Sequence, residues 1–237
     1  MNLISQSDFT TLFASAGLDV TEAQYEKFRV YADMLAEKNA VMNLTAITDP
    51  AEVAQKHFLD SCLPLNFFDI PEGASLCDVG AGAGFPSLPI AIMRPDLGVT
   101  MIDSLNKRVE FLKDVSSQLG VTAECLHLRA EDAGQGNLRE SFDIAVARAV
   151  SRLSVLCEYC LPLVKVGGAF LALKGGDCAE ELRSAYTAVK TLGGKTELIR
   201  EYALPNGDGR TLIVIRKVSP TPKAYPRPQG KIKAKPL

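Results

Sequence analysis

The chain has 237 residues, enough for one large domain or for one domain with a small appendage. At 47% hydrophobic and 23% charged residues it is too apolar to be disordered, and no run approaches the roughly 18 unbroken apolar residues of a membrane span. The start, MNLISQSDFTTLF, lacks the basic and apolar regions of a secretory signal, and six cysteines beside a sizeable core predict reduced thiols in a cytoplasmic protein. The formal charge of −2 conceals a division. Seven Lys or Arg and no acid lie between Arg216 and Leu237, which leaves the first 215 residues at −9. A polyanion would be met by local patches, of which the tail is the clearest.

Phe9, Leu12, Phe13 and Ala16 repeat at helical spacing and Gly17 marks a stop. Thr21 then caps a second helix through Tyr25, Phe28, Tyr31, Met34 and Leu35, and a third is predicted around Val53 to Leu63. Residues 1–70 thus read as a helical N-terminal cap. From Leu76 short apolar runs (LCDV, VTMID, TAECLHL, FDIAVAR, AFLALK) alternate with helical patterns, which predicts βαβ units around a parallel sheet. Residues 195–203 and 211–218 are strand-like and joined by a Pro-Asn-Gly-Asp-Gly loop, hence an antiparallel hairpin. The expected fold class is α/β over residues 71–218, Rossmann-like with a mostly parallel seven-stranded sheet, in the methyltransferase pattern. Residues 219–237, with five prolines, are expected to form an extended basic arm without regular structure.

The chemical centre is Leu76-Cys-Asp-Val-Gly-Ala-Gly-Ala-Gly-Phe-Pro, a buried strand running into glycines 80, 82 and 84 with a helix starting near Pro86. Alone, such a cluster is as readily a tight strand-to-helix turn as a ligand loop. Phe85 breaks the G-x-G-x-x-G pyrophosphate fingerprint. Asp78 would oppose a pyrophosphate but suits a sulfonium and an amino group. Asp103 ends the second strand, where a carboxylate can accept both ribose hydroxyls. Together Asp78, Gly80, Gly82 and Asp103 favour S-adenosylmethionine over a nicotinamide dinucleotide.

Further ordered motifs run from about Tyr31 to the C-terminus: Asn43-Leu-Thr-Ala-Ile-Thr-Asp, His57-Phe-Leu-Asp-Ser, Asp103-Ser-Leu-Asn-Lys-Arg, Arg129-Ala-Glu-Asp, Ala147-Arg-Ala-Val, Leu173-Lys-Gly and Tyr225-Pro-Arg. With the glycine loop, they closely resemble the glucose-inhibited division protein B family, the 16S rRNA guanine-N7 methyltransferases. The resemblance implies methyl transfer from S-adenosylmethionine to the guanine at position 527 of 16S rRNA. It also implies cofactor contacts at Gly80, Phe85, Ala130, Glu131 and Arg148. The chain departs from the family at Ser87, where glycine is expected, so that a hydroxyl would crowd the turn or face the cofactor. Ile232 replaces a proline in the tail.

The remaining candidates are weighed against plainer roles. Acids beyond a strand end are usually solvated and an arginine there is usually a surface ion pair; only the resemblance gives Glu131 and Arg148 a ligand. Arg152 is placed like Arg148 with less behind it. Cys157-Glu-Tyr-Cys160 lies within a predicted amphipathic helix and reads as core. His57 is expected to order the cap or touch RNA and His127 to be structural, with no metal cluster. Guanine N7 is an unprotonated lone pair, so no general base is expected and catalysis rests on in-line positioning. RNA contacts are assigned to Lys107, Arg108, Lys174, Arg210 and, in the tail, Lys223 and Arg227. The expected partner of this monomer is 16S rRNA or the assembling 30S particle. A nicotinamide-dependent oxidoreductase and a non-catalytic RNA-binding module are the alternatives.

Overall fold

The computed structural model describes residues 2–148 and 151–237, so Ala149 and Val150 of the Ala147-Arg-Ala-Val motif lie outside the described residues. Helix α1 (Gln6–Ser15) starts where the Ser5 hydroxyl accepts from the Asp8 N–H, and it is followed by Gly17 at φ +76°. Helix α2 (Glu22–Met42) begins on Thr21, which Gln24 completes into a capping box. The third helical stretch, α3 (residues 50–66), is longer and less regular than its apolar pattern predicts. Its middle, Val53–Leu59, is a π-helix and its end, Leu63–Asn66, a 3₁₀ turn. Apolar spacing reports which face is buried; it does not report the width of each turn.

The sheet contains β1 (Ser75–Val79), β2 (Gly98–Asp103), β3 (Ala123–His127), β4 (Phe142–Arg148), β5 (Val164–Gly175), β6 (Gly194–Ala203) and β7 (Gly209–Lys217) in the order 3-2-1-4-5-7-6. Strands β1 to β5 pair in parallel, and β7 runs antiparallel between β5 and β6. This is the expected arrangement. Crossovers are made by α4 (Ser87–Met93), α5 (Asn106–Leu119), α7 (Leu153–Cys160) and α8 (Ala179–Thr191). A short helix, α6 (Ala130–Gln135), was not legible because six residues with Gly134 carry no period.

Side chains of a strand alternate between the two faces of the sheet. Leu76, Ile144, Val146, Leu171 and Val214 pack in a core shared with α1 to α5. Cys77, Val79, Ala145, Ala147, Phe170 and Ile213 face a second core shared with α7 and α8. By the same alternation Asp78 and Arg148 belong to the first face.

The C-terminal segment corrects an expectation. Residues 219–237 are not a free extended arm: they return across the second core and end in α9 (Gln229–Ala234). The Thr221 hydroxyl donates to Leu192 O at 2.8 Å, and Arg139 donates to Thr221 O and Tyr225 O at 2.6 and 2.7 Å. Gln135 Nε2 donates to Pro226 O at 2.7 Å. Ile232, the departure that looked incidental, is fully buried in that core. Five prolines interrupt the run of N–H groups so that no ladder forms, and side chains from the domain meet several of the segment's carbonyls.

Candidate functional site

Strand register sets the site. Asp78 pairs with Met101 and Val146, so Gly80, Asp103 and Arg148 come level at the C-terminal rim of the sheet. Parallel strands open a crevice at that rim. Gly80, Gly82 and Gly84 all have positive φ, at 75°, 60° and 97°. At Gly84 a Cβ would lie 2.6 Å from the Tyr31 hydroxyl and 2.5 Å from Leu88 Cδ1, so glycine also lets α2 approach. The Tyr31 hydroxyl donates to Ala83 O, which ties the cap to the loop.

The loop's own N–H groups are largely satisfied within the protein. Gly80 and Ala81 donate to Ile102 O at 2.8 and 3.2 Å, and Gly84 and Phe85 donate to Ala81 O at 2.8 and 3.2 Å. Gly82 donates to Asp103 Oδ2 at 3.0 Å. Asp103 Oδ1 accepts from the Leu105 N–H at 2.9 Å, and Arg108 reaches Oδ2 at 3.5 Å. The carboxylate is thereby fixed in direction, yet each oxygen keeps lone-pair capacity.

A cleft of about 230 Å³ lies above this loop on the face of the second core. It is lined by Gly80, Asp103, Ala130 and Glu131, so four of the eight predicted cofactor residues share one cavity. The other four lie elsewhere. Gly82 supports Asp103. Asp78 lies beneath the loop, fully buried, with Oδ2 accepting from the Ser87 N–H at 3.2 Å and Oδ1 without a partner. Burial pushes its carboxyl up to about 7, against the pull of Ser87. Ser87 itself is buried with an unpartnered hydroxyl. Phe85 stacks on His57 and Tyr31, with ring centroids 4.5 and 5.3 Å apart.

Arg148 lines a second depression of about 330 Å³ with Lys56, His57, Asp60, Lys174 and Arg210. Its guanidinium lies 4.8 Å from the Phe85 ring centroid and donates to Lys56 O at 3.1 Å and Asp60 Oδ2 at 3.4 Å. It also faces His57 Nδ1 at 3.3 Å. Because arginine only donates, His57 Nδ1 accepts and Nε2 carries the proton toward the Thr45 hydroxyl at 2.7 Å. Burial, reinforced by Arg148, lowers the imidazole to about 3, so it is neutral. Arg210 Nε reaches Asp60 Oδ1 at 3.1 Å. One carboxylate therefore serves two guanidinium groups, and the depression keeps a positive excess. Asp60 stood in the His57-Phe-Leu-Asp motif, but its role needed the pairing of Gly175 with Arg210, which no local pattern reveals.

The RNA assignments divide. Lys107, Arg108 and His127 line an open groove beside the exposed Leu105, and Lys223 is exposed. Lys174 is held by Ser151 O and Glu181 Oε2, both at 2.8 Å. Arg227 is a correction: its guanidinium pairs with the fully buried Glu158 at 2.6 Å and anchors the tail. A buried carboxylate requires a partner, and Arg227 provides it. Sequence reasoning also missed Arg129, Tyr159, Gln229 and Lys233, which line the cleft. The phenol beside Glu158 in the largely apolar α7 was the available signal. The six cysteines are free, and Cys157 and Cys160 are fully buried.

Residues 24–206 match the family model of rRNA small subunit methyltransferase G. The chain is 52% identical over 234 residues to the ribosomal RNA small subunit methyltransferase G of Lactobacillus johnsonii, covering 97% of this chain and 98% of that one. It is 47% identical to the protein of the same name from Lactobacillus acidophilus, covering 99% and 100%. Among solved structures it resembles a SAM-dependent methyltransferase from Aquifex aeolicus, with a TM-score of 0.54 and 18% identity over 73% of this chain and 96% of that one. That likeness concerns the fold.

Proposed function

Because the chain belongs to the rRNA small subunit methyltransferase G family, we propose that it methylates N7 of the guanine at position 527 in 16S rRNA, using S-adenosylmethionine. The observation that carries the choice of cofactor is the state of the glycine loop. A pyrophosphate needs free N–H groups at such a turn. Here Gly80, Ala81, Gly82, Gly84 and Phe85 already donate within the protein, and the nearby acids are Asp78, Asp103 and Glu131. That set suits a ribose diol and cationic groups. The unpartnered Asp78 Oδ1 is a buried acceptor awaiting a donor, which a cofactor ammonium would supply.

In this reading Asp103 holds the ribose, Ala130 and Glu131 border the adenine, and Asp78 and Arg148 serve the amino-acid end. Gly80 is the floor. Bound there, S-adenosylmethionine supplies an electrophilic methyl group on a sulfonium. Guanine N7 presents a lone pair at neutral pH, so no side chain of this protein needs to move a proton. The work left to the chain is alignment and the exclusion of water. Arg210, held by Asp60, receives an RNA phosphate beside the turned-out base, and Lys107, Arg108 and Lys223 extend the contact. The protein acts in the cytoplasm as a monomer, on 16S rRNA or the assembling 30S particle. Among the described residues no helix is long and apolar enough to cross a membrane.

Calorimetry with the full chain tests the cofactor assignment. S-adenosylmethionine and S-adenosylhomocysteine should bind and NAD should give no detectable heat. Tighter binding of NAD would overturn it.

A further inference from the structure

The cleft is closed at one end by groups that the family resemblance does not assign. Tyr159, on α7, is 7% exposed and lines the cleft, yet its hydroxyl has no hydrogen-bond partner. A buried hydroxyl without a partner is destabilising, and a native site that keeps one invites a ligand group. Burial and the charge of Glu131 raise the phenol's pKa against a weaker pull from the Gln229 side chain beside it, so it remains a neutral hydroxyl able to donate or accept.

Gln229 faces the same space from the C-terminal segment. Its Oε1 accepts from Arg129 at 2.9 Å, and since arginine cannot accept, the orientation of the amide follows. The Nε2 hydrogens are left as donors. A rotatable hydroxyl and an oriented NH₂ therefore meet at the end of the cleft bordered by Ala130 and Glu131.

Both are held from behind by one device. Arg227 donates through its backbone N–H and Nε to Glu158 Oε1, each at 2.8 Å. Glu158 immediately precedes Tyr159 on α7, and Arg227 lies two residues before Gln229. The fully buried Ile232 fixes the next turn. The ion pair thus sets the tail against the helix that carries the phenol.

We propose that Tyr159 and Gln229 read the edge of the cofactor's adenine, so that the C-terminal segment is part of the nucleoside site. This rests on the reading of the cleft as the S-adenosylmethionine site. Adenine presents an N6 amine that donates beside ring nitrogens that accept. The hydroxyl accepts from the amine, and Gln229 Nε2 donates to a ring nitrogen. Hypoxanthine, with a carbonyl and an N1–H in those places, reverses both polarities. The hydroxyl can rotate to meet the carbonyl. The oriented NH₂ cannot accept, so Gln229 carries the discrimination while Tyr159 adds affinity for either base.

The test is calorimetric, on the full chain, with S-adenosylhomocysteine and its deaminated analogue S-inosylhomocysteine. Wild type should prefer the adenine compound by about tenfold or more. Gln229→Ala should reduce that preference to about threefold or less, chiefly by weakening the adenine compound, whereas Tyr159→Phe should weaken both compounds and leave the preference in place. Tyr159→Phe removes a hydroxyl that the free protein leaves unpartnered, so its unfolding midpoint should stay the same or rise. Equal weakening of both compounds by Gln229→Ala with the preference intact would show a structural role and overturn the proposal, as would a lowered unfolding midpoint in Tyr159→Phe. So would unchanged affinities. Failure of wild type to bind S-adenosylhomocysteine at all would overturn the reading of the cleft itself, and the proposal with it.

Discussion

Asp78 is the residue whose ionisation depends most on what occupies the site. Its carboxyl, pushed up to about 7 by burial, is half protonated near neutrality in the free protein. A cation placed against Oδ1 favours the carboxylate, so binding releases a proton and affinity rises with pH. Between pH 6 and 8 the gain attributable to Asp78 is about tenfold, and Asp78→Asn should remove it from calorimetric titrations run at several pH values. For the free protein the sign is opposite. The native carboxyl keeps a proton that the unfolded chain loses above about pH 4, so its contribution to stability is complete below the unfolded value and lost as pH rises through about 7. At Asp103, replacement by alanine loses both the ribose acceptor and the Gly82 and Leu105 N–H partners. Cofactor binding should weaken by roughly 1–3 kcal/mol while the unfolding midpoint shifts little, since the rim supports little packing. Collapse of the midpoint with unchanged affinity would make Asp103 structural. The roles of these two acids could be argued from sequence because each stands next to a recognisable strand end. Their separation onto opposite sides of the loop could not. Strand alternation gives both acids the same face; it is the glycine loop, folding over Asp78 and donating from Gly82 to Asp103, that leaves one beneath it and the other in the cleft.

The elements that shape the site are the π-turned middle of α3 and the returning tail. Wider turns in α3 bring His57 under Arg148 and Asp60 between Arg148 and Arg210. His57 is neutral in the fold, lowered to about 3, whereas in the unfolded chain it takes a proton below about 6.5. Its contribution is present above the unfolded value and lost as pH falls through the interval toward 3. Between neutrality and pH 5 this removes ~2 kcal/mol, opposed by the Asp78 contribution of the other sign, so it is read as the difference in urea midpoint between wild type and His57→Gln, which should shrink as pH falls. In the tail, Arg227→Ala leaves Glu158 charged and without a guanidinium at a site of no exposure, a cost of roughly 3 kcal/mol. The segment should detach in response. Amides of residues 229–235 should exchange faster while those of β1 and β4 keep their protection. The strands and α1, α2, α5 and α8 were legible because periodicity and caps are local signals. The tail was misread for the converse reason: its order comes from partners at Glu158, Arg139 and Gln135, far away in sequence.

Across the whole molecule, charge is divided by function and not only by sequence. Two of the seven basic side chains counted toward the tail are engaged within the protein, each in an ion pair with a fully buried member. Lys217 is fully buried against Glu140 at 3.0 Å, and Arg227 is paired with Glu158. The basic groups left exposed in the tail are Lys223, Lys231, Lys233 and Lys235, and Arg148 and Arg210 line a separate depression at the C-terminal ends of the strands. On the proposed reading, an RNA phosphate received at that depression would bring the base toward the methyl donor. The central claim is that this arrangement serves one base of 16S rRNA. The most direct measurement maps N7-methylguanine along 16S rRNA from cells lacking this gene, and from the same cells carrying either the wild-type gene or its Asp103→Ala variant. The modification at position 527 should be absent in the first, restored by the wild type and reduced with the variant. Full modification at that position in cells without the gene, or restoration at a different base, would contradict the account.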